Sequence, residues 1–434
     1  MPDENQQSQG LHYGWVILFM SVVTVLGCLG FARFGYTMIL PQMKEGLNLT
    51  KTQAGNLATG NFVGYLILAI VGGFLAARYG PRVVIGLSML LIGVAMFLTG
   101  LAPNFQMALM WRTLTGVGSG GSNVPVMGLV SAWFGTKRRG LAAGIAAGGS
   151  SVGLAITGPL IPRVIDVYGA DGWRYSWYYL SAMTVIIAIL CFVFLRNRPE
   201  EKGLIAIGSD ESPPLPSRNK PSGNAQDRPF DSAQDRPSSL QWGLVYKSGA
   251  VWHLALIYIM FGFSYIIYAT FFADYLIGEA GFTKEVAGWL WMLAGLISFV
   301  SGFIWGTVSD VIGRKYGLAL VYFLQGLCFI IFGLWKAVPG YYLSVLLFAL
   351  TAWSIPAIMA ATCGDYLGPR LAPAALGFVT VFFGTGQAIG PTVAGYIGDV
   401  TGSYTWAFII AGLAAFVGAG GALSLRPPKR EVQA

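Results

Sequence analysis

An arginine at position 33 stands inside the first long apolar run of the chain, and Tyr36 and Thr37 follow one helical turn later on the same face. A cation at membrane depth costs about 2.5–3.5 kcal/mol on insertion scales, so it faces a cavity or a partner. The planar guanidinium fork suits a carboxylate or phosphate through two parallel hydrogen bonds. The chemistry predicted is reversible capture of an organic anion. Asn61, Asn123 and Gln387 are further polar groups inside apolar runs, each needing a partner, and are candidates to line the same site. Tyr258, Tyr265, Tyr268 and Phe272 recur at steps that put them on one helical face, where the hydroxyls of Tyr265 and Tyr268 can meet a bound carboxylate. Ser298 and Trp353 are secondary candidates.

Acids inside apolar runs are scarce. Asp274 lies toward one end of the seventh run and Asp399 toward the same end of the eleventh; Asp310 and Asp365 lie near the other end. No Asp or Glu occupies a midplane position, so no acidic proton relay is visible. Proton coupling would have to use the substrate carboxylate, Asp274 or the charge balance at Arg33. No nucleophile–base pair, paired carboxylates or Cys/His cluster occurs, and no G-xxxx-G-K-[ST] phosphate loop. The expectation is a non-enzyme without cofactor or metal, driven by gradients rather than by ATP. Cys28, Cys191, Cys328 and Cys363 all sit in apolar runs and read as small hydrophobes.

These residues must be held by membrane-spanning helices. The chain is 55% hydrophobic and only 11% charged, whereas soluble domains carry about 25% charged residues. Twelve runs long enough to span a bilayer follow one another, six in residues 13–196 and six in 249–425. The predicted fold is an all-α polytopic membrane protein of two pseudo-symmetric six-helix bundles. Residues 1–12 and 426–434 read as tails. Residues 197–248, rich in Pro, Ser, Asp and Arg and holding the tandem Ala225-Gln-Asp-Arg-Pro229 and Ala233-Gln-Asp-Arg-Pro237, read as a disordered linker. The net charge of +8 gathers in short segments on one side: Arg78, Arg82, Lys137-Arg138-Arg139, the linker, Arg314-Lys315 and the C-terminal tail. That bias predicts a cytoplasmic side bearing both termini, and no nucleic-acid role. Short loops suit a bacterial inner membrane, and a monomer is expected.

The halves repeat each other. Gly73 to Arg82 matches Gly306 to Lys315 at an offset of 233 positions, the layout of many secondary transporters with a site between the halves. Gly306, Asp310, Gly313, Arg314 and Lys315 form a G-xxx-D-xx-G-R-K pattern that resembles the signature of the major facilitator superfamily. Tyr13-Gly14-Trp15 and the stretch Lys137 to Gly153 resemble the monocarboxylate transporter and oxalate–formate exchanger branch. That resemblance implies rocker-switch alternating access and sets Arg33 where those transporters carry a substrate-binding lysine. Their arginine of span eight is absent, Gly302 standing there. Arg112, in Arg112-Thr-Leu-Thr-Gly116-Val-Gly118, resembles a superfamily signature tied to proton coupling or helix support. Asp310, by the same resemblance, is expected to meet the start of span five near Arg138 and Arg139 and, with Arg314, to lock the cytoplasmic side in an outward-open state.

The functional expectation is a secondary transporter for a small, monocarboxylate-like organic anion, proton-coupled, with an efflux exchanger for hydrophobic compounds as the alternative.

Overall fold

The computed structural model describes residues 12–209 and 242–426. They form twelve long rods. In the first half these are α1 Tyr13–Gly46, α2 Lys51–Tyr79, α3 Pro81–Gly100, α4 Phe105–Trp133, α5 (Thr136–Ala147 continued by Gly149–Tyr168) and α6 Gly172–Phe194. The second half has α7 Gly249–Gly278, α8 Lys284–Ile312, α9 Arg314–Leu334, α10 Val338–Gly368, α11 Leu371–Thr401 and α12 Thr405–Leu423.

The ends of the rods follow from local chemistry. Thr50 accepts from the N–H of Gln53, whose side chain returns to the Thr50 N–H, so a capping box starts α2. Thr283, 233 positions on, caps α8 through Val286. Gly80 (φ 85°) and Gly313 (φ 93°) make the equivalent tight turns into α3 and α9, a conformation costly for a residue with a Cβ. Gly368 (φ 73°) separates α10 from α11 in the same way. The repeat read in the sequence is therefore present in the backbone. Phe19, Ile70, Phe74, Phe303 and Val417 are exposed around the outside, a surface that only lipid can cover, while Trp133, Trp173, Trp177 and Trp291 are fully buried.

The two halves touch at one end. Side-chain bonds between them run from Ser151–Ser298 near the middle outward through Thr59–Thr392 to Lys44–Asp274 and Lys284–Asp166. Gly55 lies so close to the Pro391 carbonyl, and Gly288 to that of Gly158, that an added Cβ would stand 2.1 and 2.3 Å from oxygen. These glycines bring α2 onto α11 and α8 onto α5 backbone to backbone. At the other end, where Tyr13 and Arg426 lie, Gly73, Gly140, Gly144, Gly306 and Gly377 have open space where a Cβ would go. One end is sealed and the other, Lys/Arg-rich end is open.

The tandem repeat, residues 1–11 and residues 427–434 lie outside the described residues. The structure departs from the linker expectation over residues 197–209. Pro199–Lys202 form a 3-10 turn, and Ile207 exchanges backbone hydrogen bonds with Trp133 and Gly135, next to an isolated β-bridge with Phe134. Its side chain lies over Gly14. This strap carries apolar residues that bury against α1 and α4, a signal that the polar average of the segment conceals.

Candidate functional site

The middle of α1, Leu26–Phe34, is wound as a π-helix that carries Arg33 in its last turn. Such wide turns often mark functional sites. Gly30 permits it to sit against α5: the Gly30 Cα is where a Cβ on Gly153 would fall, 2.2 Å away. Arg33 is only 9% exposed. Its guanidinium carbon lies 4.5 Å from the Phe62 ring centroid and 4.6 Å from that of Tyr65, both on α2. Its Nε and Nη2 have no hydrogen-bond partner. Two aromatic faces support the cation while its donors stay available.

Arg112 of α4 reaches the same cleft, which Arg33, Tyr36, Thr37, Asn61, Ile266 and Thr270 also line. Its Nη1 donates to the Ala32 carbonyl at 2.6 Å, and its plane lies over Tyr36 and Trp177. Its Nε is unpaired. Asn61 donates from Nδ2 to the Arg112 carbonyl at 3.1 Å, and Asn123 donates to the Tyr65 hydroxyl at 2.9 Å. The Oδ1 atoms of both amides are buried without a donor. Buried polar atoms are normally paired, so the unpaired donors of Arg33 and Arg112 and the unpaired acceptor of Asn61 form a concentrated exception in this cleft, while Asn123 is not among its lining. The gap among them is narrow, with room for little more than a water molecule.

The second half supplies the opposite wall. Tyr265 stacks on Phe261 and Phe383, receives a hydrogen bond from Gln387 Nε2, and is close enough to interact with Arg33. The Trp353 indole bonds Ser151 at 2.8 Å and Ser298 at 3.2 Å and sets its ring edge-on to Phe34, bridging the halves beside Arg33. Thr37 donates to the Ala269 carbonyl at 2.6 Å, closing the cleft toward the sealed end.

The remaining expected residues fall elsewhere. Tyr36 lines the cleft, but its hydroxyl donates to the Ala54 carbonyl at 2.8 Å. Tyr268 is not brought to Arg33: it packs among Phe272, Phe329, Phe332 and Phe348 in the core of the second half and takes a bond from Ser344. The supposed stripe on α7 thus divides, because the angular drift from Tyr265 to Tyr268 turns the second ring from α11 toward α9 and α10. Asp274 lies at the sealed end, bonded to Lys44 at 2.6 Å and to the Tyr404 hydroxyl at 2.7 Å. Asp310 lies exposed at the open end, paired with Arg314, which also reaches Asp365 at 2.9 Å. Arg138 and Arg139 are exposed there as well. With that end open, the structure brings neither of these two arginines to Asp310.

Sequence reasoning did not single out Tyr65 or Phe62. Tyr65 alone carried a signal, being one turn beyond Asn61 on the same face of α2.

The sequence profile of the Major Facilitator Superfamily matches residues 22–372 and 254–434. The chain is 24% identical over 408 residues to the hexuronate transporter of Bacillus subtilis, covering 92% of this chain and 90% of that protein. It is 26% identical over 415 residues to a probable sulfoacetate transporter of Cupriavidus necator, covering 91% and 90%. In three dimensions it resembles the crystal structure of a bacterial homolog of the human lysosomal transporter Spinster in an inward-facing and occupied conformation, with a TM-score of 0.73 at 15% identity over 95% of this chain and 97% of that one. Twelve membrane rods, a backbone repeat, a polar cleft between the halves and these likenesses together identify the chain as a multi-pass membrane transporter belonging to the Major Facilitator Superfamily.

Proposed function

We propose that the chain is a secondary transporter that carries a small hydroxylated organic acid across the bilayer by alternating access. The carrying observation is the set of unpaired groups in one cleft: Nε and Nη2 of Arg33 and Nε of Arg112 as donors, Oδ1 of Asn61 as acceptor. A carboxylate satisfies the guanidinium donors and a hydroxyl satisfies the Asn61 acceptor, which a bare monocarboxylate would leave unpaired. The hexuronate relative has a cargo of this chemistry.

In this reading the open, Lys/Arg-rich end faces the cytoplasm of a bacterial inner membrane, and the structure corresponds to an inward-open state. The cleft, with room here for little more than a water molecule, must widen to admit such a cargo. No Asp or Glu lines the cleft among the described residues, so a coupling proton would ride on the substrate's own acid group. The aromatic wall of Tyr258, Phe261, Tyr265 and Phe383 is the feature that favours a hydrophobic cargo instead.

The test is uptake of labelled hexuronate, tartrate and lactate into proteoliposomes, with thermal-shift screening of the same acids and of hydrophobic cations. Saturable uptake of the hydroxylated acids, lost in Arg33→Ala, supports the reading. Stabilisation by hydrophobic cations alone overturns it, and flux insensitive to a pH gradient removes the proton.

A further inference from the structure

The sealed end repeats itself with a difference. Thr50-Lys51 at the start of α2 and Thr283-Lys284 at the start of α8 are 233 positions apart, as are Asp166 near the end of α5 and Asp399 near the end of α11. Each acid approaches the helix start of the opposite half. Asp399 accepts from the backbone N–H of Lys51 at 2.8 Å, from that of Thr52 at 2.8 Å and from the Thr52 hydroxyl at 2.5 Å. It thereby supplies a charge and two acceptors to the unsatisfied first turn of α2. Asp166 makes a single ion pair with Lys284 Nζ at 2.6 Å, its side chain 52% exposed. The position equivalent to Thr52 is Glu285, whose like charge keeps an approaching acid off the N–H groups.

A further knot exists on one side only. Lys44 of α1 bonds both oxygens of Asp274 of α7, at 2.6 and 2.7 Å, and Asp274 is 2% exposed. Tyr404, between α11 and α12, donates to Asp274, gives its N–H to Glu279 and holds Lys51 Nζ 4.4 Å above its ring. Lys51 Nζ also binds Glu279 at 2.7 Å and the Gly402 carbonyl at 2.8 Å. The positions 233 away from Lys44 and Asp274 hold Ile277 and Pro41, so the repeat cannot build this knot twice.

We infer that the sealed end is fastened unequally, and that the Lys44–Asp274–Tyr404 knot with the Asp399 clasp, on the α1/α2–α7/α11 side, sets the ratio of inward-open to outward-open protein. The α5–α8 seam, with one exposed ion pair and the Ser151–Ser298 bond besides its backbone contact, contributes less. Exposed pairs contribute little, whereas removing one partner of a buried pair leaves an uncompensated charge. Opening this end must part Lys44 from Asp274, because they belong to different halves. The inference rests on the alternating-access reading, but not on the cargo.

Double electron–electron resonance between labels at Leu101→Cys and Lys336→Cys, on sealed-end loops of the two halves, reads the separation in substrate-free protein. The four native cysteines are all buried. Asp274→Asn should raise the long-distance population about fivefold or more, Asp399→Asn and Tyr404→Phe less, and Asp166→Asn less than twofold. The double variant Lys44→Asp with Asp274→Lys should restore the native distribution, which separates loss of the pair from misfolding. Equal shifts for Asp166→Asn and Asp274→Asn, or no shift for Asp274→Asn in folded protein, overturn the inference. A single distance in every variant and in every added acid would instead overturn alternating access itself.

Discussion

Arg112 donates from Nη1 to the carbonyl of Ala32, the residue immediately before Arg33. One buried cation thus fixes the backbone that presents the other, across the α1–α4 contact. A π-helical turn leaves carbonyls out of their usual ladder, and Arg112 occupies one of them. Arg112→Lys keeps the charge but loses the planar fork. We expect it to weaken substrate binding by about tenfold, measured by calorimetry, and Arg112→Ala to lower the melting temperature as well.

Arg33 has the opposite profile, since its Nε and Nη2 bond nothing in the protein. Arg33→Ala should weaken substrate binding sharply while costing little stability. A charged hydrogen bond contributes about 1.5–3 kcal/mol, so the dissociation constant should rise by about 10- to 100-fold. A melting temperature that falls as far as in Arg112→Ala would mark Arg33 as a structural residue instead.

Asn61 is expected to separate cargoes by their hydroxyls. Asn61→Leu should reduce affinity for a hydroxylated acid more than for its deoxy analogue, because the unpaired Oδ1 is the lost acceptor. Competition binding with matched pairs of acids measures the ratio. An unchanged ratio would assign the amide to α2–α4 bonding alone, through its bond to the Arg112 carbonyl.

Gly153→Ala would thrust a methyl against the Gly30 backbone. Overpacking of this kind costs about 1–3 kcal/mol, and here it pushes α1 off α5 at the turn that carries Arg33. Reduced melting temperature together with weakened acid binding is expected. A Gly30→Ala variant should behave alike.

Asp310→Asn should shift folded protein toward the inward-open form, since the outward-open form is the one in which this acid is expected to meet the start of α5. Distances between labels across the open end check it, and an unchanged distribution refutes the lock.

The twelve rods were legible because each apolar run reaches the length a bilayer demands, and Arg33 because a lone cation in such a run has few harmless explanations. The repeat was legible from Gly80 and Gly313, whose backbone conformation makes substitution costly. What escaped depended on direction rather than on type. Tyr65 and Phe62 look like ordinary lipid-side aromatics until α2 is rotated against α1. Tyr268 looks equivalent to Tyr265 until the helix is given neighbours. The strap at 197–209 was hidden by polar residues further along, and Lys44–Asp274 by its separation of 230 positions.

The clasp between Asp399 and the start of α2 has an uneven exposure to genetic change. Two of its three donors are backbone N–H groups, which survive nearly every substitution at Lys51 and Thr52. Drift can therefore erase the contact readily from only one of the two partners, by replacing Asp399. Proline at position 51 is the exception: it suits the opening residue of a helix yet carries no N–H, so it would remove one donor while leaving α2 intact.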